Sequence, residues 1–387
     1  MRSILYNRLF FVLYFVILII SMTGLSLDSV TWRTLGYNSS YVSVFQLGIL
    51  IPGLLITLSC IRAYMDQFTG IIWGFCLFCL ITIFFNIDSL DNRSIIAVLF
   101  NIFIIPLGIS SGKYLTDTIT ISKRSEILYM CLQIPAIVSA IFLLKLGFKF
   151  DSDCAFAVFL YMPLVFFIKA NMVRIGFLIL YGVIILLAGK RSIFLTFTLC
   201  TIIYLFYILS SSDSKSSNRN IKRALFLTVF LTAIYLLISN YASQIDYISD
   251  RFSAMQEDKG SGREDIYSLV VNDFYNSDWS NQLFGHGYFG VVNSFHIGAH
   301  NDFFEILYDY GIIALILYFI FMCKLLLYTI NKYLRRKEYG ISTSILAMNT
   351  SIILILGVLN CMIVSTFFQF ISYCALGMAL RTIQNKY

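Results

Sequence analysis

Residues 298–319 read GAHNDFFEILYDYGIIALILYF, a polar His-Asn-Asp cluster followed directly by a segment apolar enough to cross a membrane. The rest of the chain has the same character: of 387 residues, 59% are hydrophobic and 13% are charged, and the mean hydropathy is +0.81. Soluble domains are closer to half apolar and a quarter charged. We therefore predict an all-α integral membrane protein in which His300 stands where a helix enters the membrane.

The predicted spans follow from the length of the apolar runs, since a transmembrane helix needs about 20 mostly apolar residues. About twelve runs meet this requirement, and polar stretches separate them. They lie near 9–27, 42–61, 69–87, 94–112, 126–146, 154–170, 173–189, 192–210, 224–241, 303–327, 343–364 and 366–383.

Basic residues predict the orientation, because Lys and Arg accumulate in cytoplasmic loops. With the N-terminus inside, nineteen of the 28 lysines and arginines fall on the cytoplasmic side. The C-terminus is then cytoplasmic as well, and the long polar loop 242–302 lies outside. This divides the chain into nine helices over 1–241, a partly helical outer loop over 242–302, and three helices over 303–387. The net charge of +7 is explained by this topology and does not indicate nucleic-acid binding.

Two helical signals stand inside the outer loop. Ser261 and Glu264 have the spacing of a capping box, in which each side chain bonds the other's backbone N–H. Apolar residues then repeat at helical spacing and predict one buried face: Ile266, Leu269, Val270 and Phe274. Further on, Gly285 and Gly287 predict a tight turn or a close backbone approach, without the strand-to-helix context of a dinucleotide site.

Two adjacent cations, Lys190 and Arg191, stand in the short turn LLAGKRSIFL between two predicted helices on the outer side. Such a pair could hold a phosphate, with bidentate donors from Arg191. The pair could equally be side chains that extend to the interface and do nothing else. The residues alone leave both interpretations open.

His300 has a similar pair of interpretations. If it is already helical, it shares a face with the small residues Gly311 and Ala314, and the acids Asp302, Glu305 and Asp309 fall on the opposite face. The imidazole would then point towards the bundle interior at its outer mouth, where it could accept a proton from a substrate. The alternative is a histidine bonded to a loop carbonyl. Asn301 or Asp302 is expected to cap the helix.

A metal site receives little support from the sequence. His296 and His300 have the spacing of zinc ligands on one helical turn, with His286 as a third, but Gly298 between them disfavours a helix. Cys76 and Cys79 lie in an apolar stretch without charged neighbours. We expect no metal at either place.

Four motifs in the second half of the chain resemble, in order, the O-antigen ligase and polymerase family of bacterial membrane glycosyltransferases. They are GKRS (189–192), SGRED (261–265), LFGHGYFG (283–290) and HNDFFEILYDYGIIALI (300–316). The first half resembles the family only as a string of membrane helices. The chain departs from the commoner pattern at Lys190, where GSR is usual, and at Ala314, where many relatives have a second glycine.

The resemblance implies a GT-C-like fold in the bacterial inner membrane, with the active site facing the periplasm. The implied substrates are glycans carried on undecaprenyl pyrophosphate, and a chain-length regulator protein is an expected partner, together with membrane lipids and without nucleic acid. No metal or other cofactor is expected. Carried over by position, His300 activates or orients the acceptor hydroxyl, and Arg191 and Arg263 stabilise the pyrophosphate. Lys190, Arg251 and Asn301 are further substrate-binding candidates.

Within this family, the amino-acid sequence of the last motif and the divergent first half of the chain favour a polymerase. A polymerase transfers the growing glycan to the non-reducing end of a new lipid-linked repeat unit. A ligase, which transfers the glycan to lipid A–core, is the alternative. A flippase or other transporter is disfavoured, because the sequence has no run of ionisable residues at mid-membrane depth.

Overall fold

The architecture is taken from a computed structural model. It describes residues 40–59, 65–85, 92–119, 130, 133–134, 137, 159–168, 170–188, 191–210, 263–336, 340–360 and 366–385. Within these ranges every regular element is a helix.

The helices are numbered here in chain order. The first six are α1 (Ser40–Ser59), α2 (Gln67–Phe85), α3 (Asn92–Ile119), α4 (Met162–Val165), α5 (Asn171–Ala188) and α6 (Arg191–Ser210). The next three, all short, are α7 (Arg263–Asn276), α8 (Trp279–Phe284) and α9 (Gly290–Phe295). The last are α10 (Asp302–Ile330), continued by a π-helical turn over Asn331–Arg335, then α11 (Ile341–Asn360) and α12 (Thr366–Gln384).

Four of these segments are long and apolar enough to cross a membrane: Gln67–Phe85, Val98–Asp117, Asp302–Arg335 and Ile341–Leu359. Eight of the predicted apolar runs coincide with α1, α2, α3, α5, α6, α10, α11 and α12, so the helical character of those runs is confirmed. Of the run at 154–170, the structure describes only the four-residue helix α4 and its flanks. The runs at 9–27 and 224–241, and most of 126–146, lie outside the described residues. The total number of spans and the sides of the termini stay predictions.

The tightest helix pair is α3 against α12, where glycines bring the two backbones together. A Cβ atom placed on Gly112 would lie 1.9 Å from the carbonyl oxygen of Cys374, and one on Gly377 would lie 2.1 Å from the carbonyl oxygen of Ile109. Small residues permit such approaches between membrane helices, where van der Waals packing rather than the hydrophobic effect drives association. The α3–α12 pair therefore forms the rigid centre of the described bundle.

One end of this centre is joined by ion pairs. Lys113 of α3 is fully buried and donates to Asp66 at 2.7 Å and to Thr69 at 3.0 Å, while Asp66 also caps the first turn of α2. Burial alone would raise the pKa of the Asp66 carboxyl, but the adjacent Lys113 ammonium holds this pKa below its usual value. Nearby, Arg381 of α12 pairs with Asp117 of α3 at 2.8 Å. We call this the ion-pair end of the bundle.

The buried pair predicts a stability difference. Asp66→Asn keeps the helix cap but leaves the buried Lys113 charge without its counter-ion, which should destabilise the protein by about 3 kcal/mol. The matched control is Asp117→Asn, whose pair with Arg381 is partly exposed and should contribute at most about 1 kcal/mol. Thermal unfolding of the two detergent-solubilised variants checks this expectation. Equal unfolding temperatures would show that burial of Lys113 does not matter.

The segment 263–301 covers the opposite end. Phe284 of α8 stacks on Phe85, the last residue of α2, at 4.6 Å between ring centroids. Arg263 donates to the carbonyl of Leu359 near the end of α11 at 2.9 Å, and Asn101 of α3 donates to the hydroxyl of Tyr288. Burial, together with the Asp309 carboxylate, raises the pKa of that hydroxyl, so it stays neutral. We call this the loop end of the bundle.

Candidate functional site

The loop end is built around a break in α10. Gly311 has φ 82° and ψ 177°, a conformation that only glycine adopts readily, and the helix is interrupted there. The break frees carbonyl groups of the preceding turn, and the loop after α8 supplies their partners. The N–H groups of His286 and Gly287 donate to the carbonyls of Tyr308 and Asp309 at 2.8 and 3.0 Å.

The backbone of α10 and the backbone of the loop after α8 touch at a glycine in each of them. A Cβ on Gly285 would lie 2.2 Å from the carbonyl oxygen of Asp309, and a Cβ on Gly311 would lie 2.2 Å from that of Leu283. The predicted close backbone approach at Gly285 is therefore confirmed. Gly311 was expected to allow helix packing, and the structure gives it a different role as the break that receives this loop.

The acids of the first turns of α10 are buried, contrary to the expectation that they face away from the interior. Asp309 accepts from the N–H of Val291 at 3.0 Å and also from those of Gly290 and Phe289, which caps the start of α9. Asp302 accepts from the Tyr318 hydroxyl at 3.0 Å. Its carboxylate occupies the space beside Gly357 of α11, where a Cβ would lie 2.7 Å from the Asp302 oxygen.

Glu305 lies between these two acids and is 1% exposed. Its Oε1 accepts from the N–H of Ala299 at 2.6 Å, and the carboxylate also accepts from the N–H of His300. Gly298 leaves room for it, since a Cβ there would lie 3.0 Å from Oε1. The Oε2 atom is buried without a hydrogen-bond partner among the described residues. Glu305 thus holds the turn that carries His300 through the backbone N–H groups of that turn.

His300 itself is exposed and is not helical. Its φ is 52°, a left-handed conformation, and α10 begins two residues later with Asn301 as N-cap. The Asn301 Oδ1 accepts from the N–H of Phe303 at 2.9 Å, which confirms the predicted cap. The prediction that His300 points into the bundle interior was wrong, because a helical wheel does not apply before the cap. The imidazole instead stands on the surface of the loop end.

A layer of aromatic contacts fixes the short helices above α10. The Tyr308 hydroxyl donates to Asp273 at 2.6 Å and accepts from the Ser294 hydroxyl at 3.0 Å, and the His286 ring stacks on Tyr308 at 4.1 Å. Tyr267 of α7 stacks on Phe304 of α10 at 4.4 Å. These contacts make α7, α9 and the start of α10 one packed unit, so the exposed His300 turn sits on a rigid support.

The predicted helix after Ser261 is present as α7, with one error in its face. Val270 is buried, and Ile266 and Phe274 pack beside it, but Leu269 is 53% exposed. A helical face is about 100° wide, and Leu269 lies just beyond its edge. Glu264 is exposed in the first turn, while Ser261 and the predicted capping box lie outside the described residues.

Arg263 is placed at the loop end, with a structural contact that the sequence did not predict. Its Nη1 donates to the Leu359 carbonyl, one of the last carbonyls of α11, which have no partner inside their own helix. That bond occupies one N–H of a guanidinium that carries five donors. The contact to Leu359 and a contact to an anion are therefore compatible.

Arg191 opens α6, and its side chain lies outside what the structure describes, as do Lys190 and Arg251. The packing of α6 still gives the position of its start. α6 packs along α11, and the hydroxyl of Tyr333, which precedes α11, donates to the carbonyl of Ile203 in the second half of α6. The two helices are antiparallel, so the backbone of Arg191 lies at the loop end with Leu359.

The histidines do not assemble into a ligand set. His296 ends α9 in a left-handed conformation with φ 59°, and His286 contacts the Tyr308 carbonyl through Nδ1 at 3.2 Å. Across the described ranges, no three His, Cys, Asp or Glu side chains are grouped to hold a metal ion. Cys76 and Cys79 are buried free thiols.

Comparison with known proteins assigns this region. Residues 176–319 match a family model described as O-antigen ligase. Residues 176–319 therefore form a domain that is similar to this family. A search of curated proteins found no match to the chain.

The matched domain begins in α5 and ends in α10, so it includes the segment at the loop end and all four motifs of the sequence. Each predicted site residue lies within it: Lys190, Arg191, Arg251, Arg263, His300 and Asn301. The domain also includes Glu305 and Asp309, whose roles the sequence reasoning missed. The available signal was the spacing of four residues between them, which places both acids on one side of a helix that is otherwise apolar.

Proposed function

We propose that this protein is a polymerase of lipid-linked polysaccharide repeat units of the O-antigen type. It would move the growing glycan from undecaprenyl pyrophosphate to the non-reducing end of a new lipid-linked repeat unit, at the periplasmic face of the inner membrane. The support for O-antigen chemistry is the match of residues 176–319 to the O-antigen ligase family model. The observation that carries the site is His300, exposed at the loop end on a turn that Glu305 holds through backbone N–H groups.

The proposed reaction is a displacement at the anomeric carbon of the donor glycan. A hydroxyl oxygen of the acceptor sugar forms the new bond, and the hydroxyl proton passes to the His300 imidazole. The bond between the anomeric carbon and the pyrophosphate oxygen breaks, and undecaprenyl pyrophosphate leaves with the electron pair. Arg191 and Arg263, with Lys190 and Arg251 nearby in sequence or in the same loop, would stabilise the charge that develops on the pyrophosphate.

Asn301 has two roles in this proposal. Its side-chain Oδ1 caps α10, and this bond fixes the position of Asn301 directly after His300. A substrate hydroxyl that reaches the imidazole would also meet the Asn301 backbone and the N-terminal end of α10, where the helix dipole favours partial negative charge. The N-terminal end of the part of α10 that precedes the break at Gly311 would thus be directed at the place where the acceptor oxygen reacts.

Glu305 is a positioning residue in this proposal. Removing its carboxyl group should release the turn at Ala299 and His300, because two backbone N–H groups lose their acceptor, a loss of about 1–3 kcal/mol each. Glu305→Ala should therefore lower kcat by about 100-fold or more, with a smaller change in KM. Glu305→Gln supplies a carbonyl oxygen in the same place and should retain activity within about tenfold.

The assay is formation of a polymer ladder from lipid-linked repeat units in membrane vesicles. Two results would oppose the positioning role: equal loss in the Gln and Ala variants, or an unchanged kcat in the Ala variant. The first would indicate that the charge of Glu305, rather than its hydrogen-bond geometry, is required.

Ligase activity is the second candidate, because the family model carries that description. The two activities differ in acceptor, and a chromosomal deletion separates them. If the protein is the polymerase, the deletion strain should carry a single repeat unit on lipid A–core, visible as one band above the core in a lipopolysaccharide gel. If no repeat unit reaches the core, the protein is the ligase.

A further inference from the structure

Two large aromatic side chains stand exposed at one corner of the loop end. Tyr275, near the end of α7, is 81% exposed, and Trp279, the first residue of α8, is 75% exposed. The side chain of Gln282 donates to the carbonyls of Tyr275 and Ser277, at 3.0 Å each, and so folds α8 back onto the end of α7. We call residues 275–279 the aromatic corner.

Phe284 joins the aromatic corner to the end of α2. This residue ends α8 and stacks on both Phe85 and Phe78, which lie two turns apart on one face of α2. The last two residues of α2, Phe84 and Phe85, are largely exposed. Because α2 is long and apolar enough to span a membrane, we expect this exposed end of the helix to face lipid.

The short length of α8 limits how far Trp279 can lie from Phe284 and the end of α2. With a rise of about 1.5 Å per residue, Trp279 lies about 7.5 Å along the helix axis from Phe284. The two residues point about 140° apart, so one ring packs on the span while the other projects outwards. Trp279 is therefore held near the end of α2, within about 7.5 Å along the α8 axis of the ring that packs there.

The polar groups around the corner agree with a place at the headgroup level. Asp278 is exposed beside Trp279, and Asp273 is engaged by the Tyr308 hydroxyl. Val271 is exposed one helical turn before Tyr275, on the same flank of α7. Leu269, also exposed, lies on the opposite flank and does not belong to the corner.

We propose that the aromatic corner is an interfacial anchor whose partner is the lipid bilayer, with the rings of Tyr275 and Trp279 in the headgroup layer at the loop end. Tyr and Trp combine an apolar body with a polar tip and are enriched at this depth. The anchor adds a second attachment for the α7–α9 segment, beside its contacts with α2 and α10. The inference does not depend on the reaction that the protein catalyses.

Tryptophan fluorescence tests the proposal directly, because the chain has three tryptophans, Trp32, Trp73 and Trp279. The full-length variant Trp32→Phe/Trp73→Phe is reconstituted into phosphatidylcholine–phosphatidylglycerol vesicles whose acyl chains carry bromine either near the headgroup or near the bilayer centre. For side chains about 5–10 Å below the surface, shallow bromines should quench Trp279 at least about twofold more than deep ones. The matched variant Trp32→Phe/Trp279→Phe, which keeps Trp73 inside α2, should respond more to deep bromines.

Two results would overturn the proposal. In one, Trp279 is quenched by aqueous acrylamide and by neither brominated lipid. In the other, it stays hydrated in vesicles and becomes shielded only when a soluble glycan is added, which would make the corner a carbohydrate surface. If the double variant does not accumulate, the difference between the wild-type protein and Trp279→Phe supplies the same measurement.

Discussion

His300→Ala is expected to abolish polymer formation while the protein still accumulates in the membrane. Removal of a general base costs about 10²–10⁴ in rate, so the polymer ladder in membrane vesicles should fall below about 1% of the wild-type yield. Little loss of stability is expected, because the imidazole is exposed and because the backbone N–H groups of Ala299 and His300 can still donate to Glu305 in the variant.

His296→Ala is the matched control for this experiment. His296 is also exposed and also has a left-handed backbone, with φ 59° against 52° for His300, so alanine meets a similar backbone strain at both positions. The control variant should keep wild-type activity. A full polymer ladder from His300→Ala would show that the imidazole does not take part in the reaction, and equal losses in both variants would point to backbone strain alone.

The sequence predicted the helices well because their signal is local. An apolar run long enough to span a membrane is readable without knowledge of its neighbours, and the start of α10 was marked by its cap, Asn301. The periodicity of α7 was also readable, apart from Leu269 at the edge of the face. In each of these elements, the residues that decide the structure lie within a few turns of one another.

The surroundings of His300 could not be predicted in the same way, because non-local contacts create them. The helical-wheel argument assumed an unbroken helix through residue 300. The backbone of His300 is instead left-handed, and the turn before α10 packs on Glu305 through its N–H groups. The burial of Asp302 and Asp309 depends on Gly357 of α11 and on the N–H groups of α9, which lie about 20–55 residues away in the chain. A pattern within α10 alone carries no information about these partners.

The same distinction separates Arg263 from the other cations. Its presence near the site followed from the motif SGRED, but its bond to the Leu359 carbonyl joins residues that are 96 positions apart. Arg263 therefore has both a structural contact and a proposed role at the pyrophosphate. A loss of activity in an Arg263 variant has meaning only when its unfolding temperature is measured as well.

Gly311→Ala is expected to detach the loop after α8 from α10 and to eliminate activity. Alanine at φ 82° and ψ 177° is strained, and its Cβ would lie 2.2 Å from the Leu283 carbonyl oxygen, so the combined cost should reach about 3 kcal/mol or more. The hydrogen bonds of His286 and Gly287 to Tyr308 and Asp309 would then be lost together.

Limited proteolysis and the polymer assay measure the two consequences of this substitution separately. Cleavage within 277–301 should become much faster in Gly311→Ala, while the candidate spans in α2, α3 and α11 remain protected in the membrane. Gly176→Ala in α5 is the control, because a Cβ there meets no atom within 4 Å, and it should behave as the wild type. The His300 turn rests on the part of α10 that precedes the break. The loss of polymer formation should therefore parallel the loss of resistance to cleavage within 277–301. A Gly311→Ala protein that is fully active and resists proteolysis would mean that α10 can continue through residue 311, and that the break is not what holds His300 at the loop end.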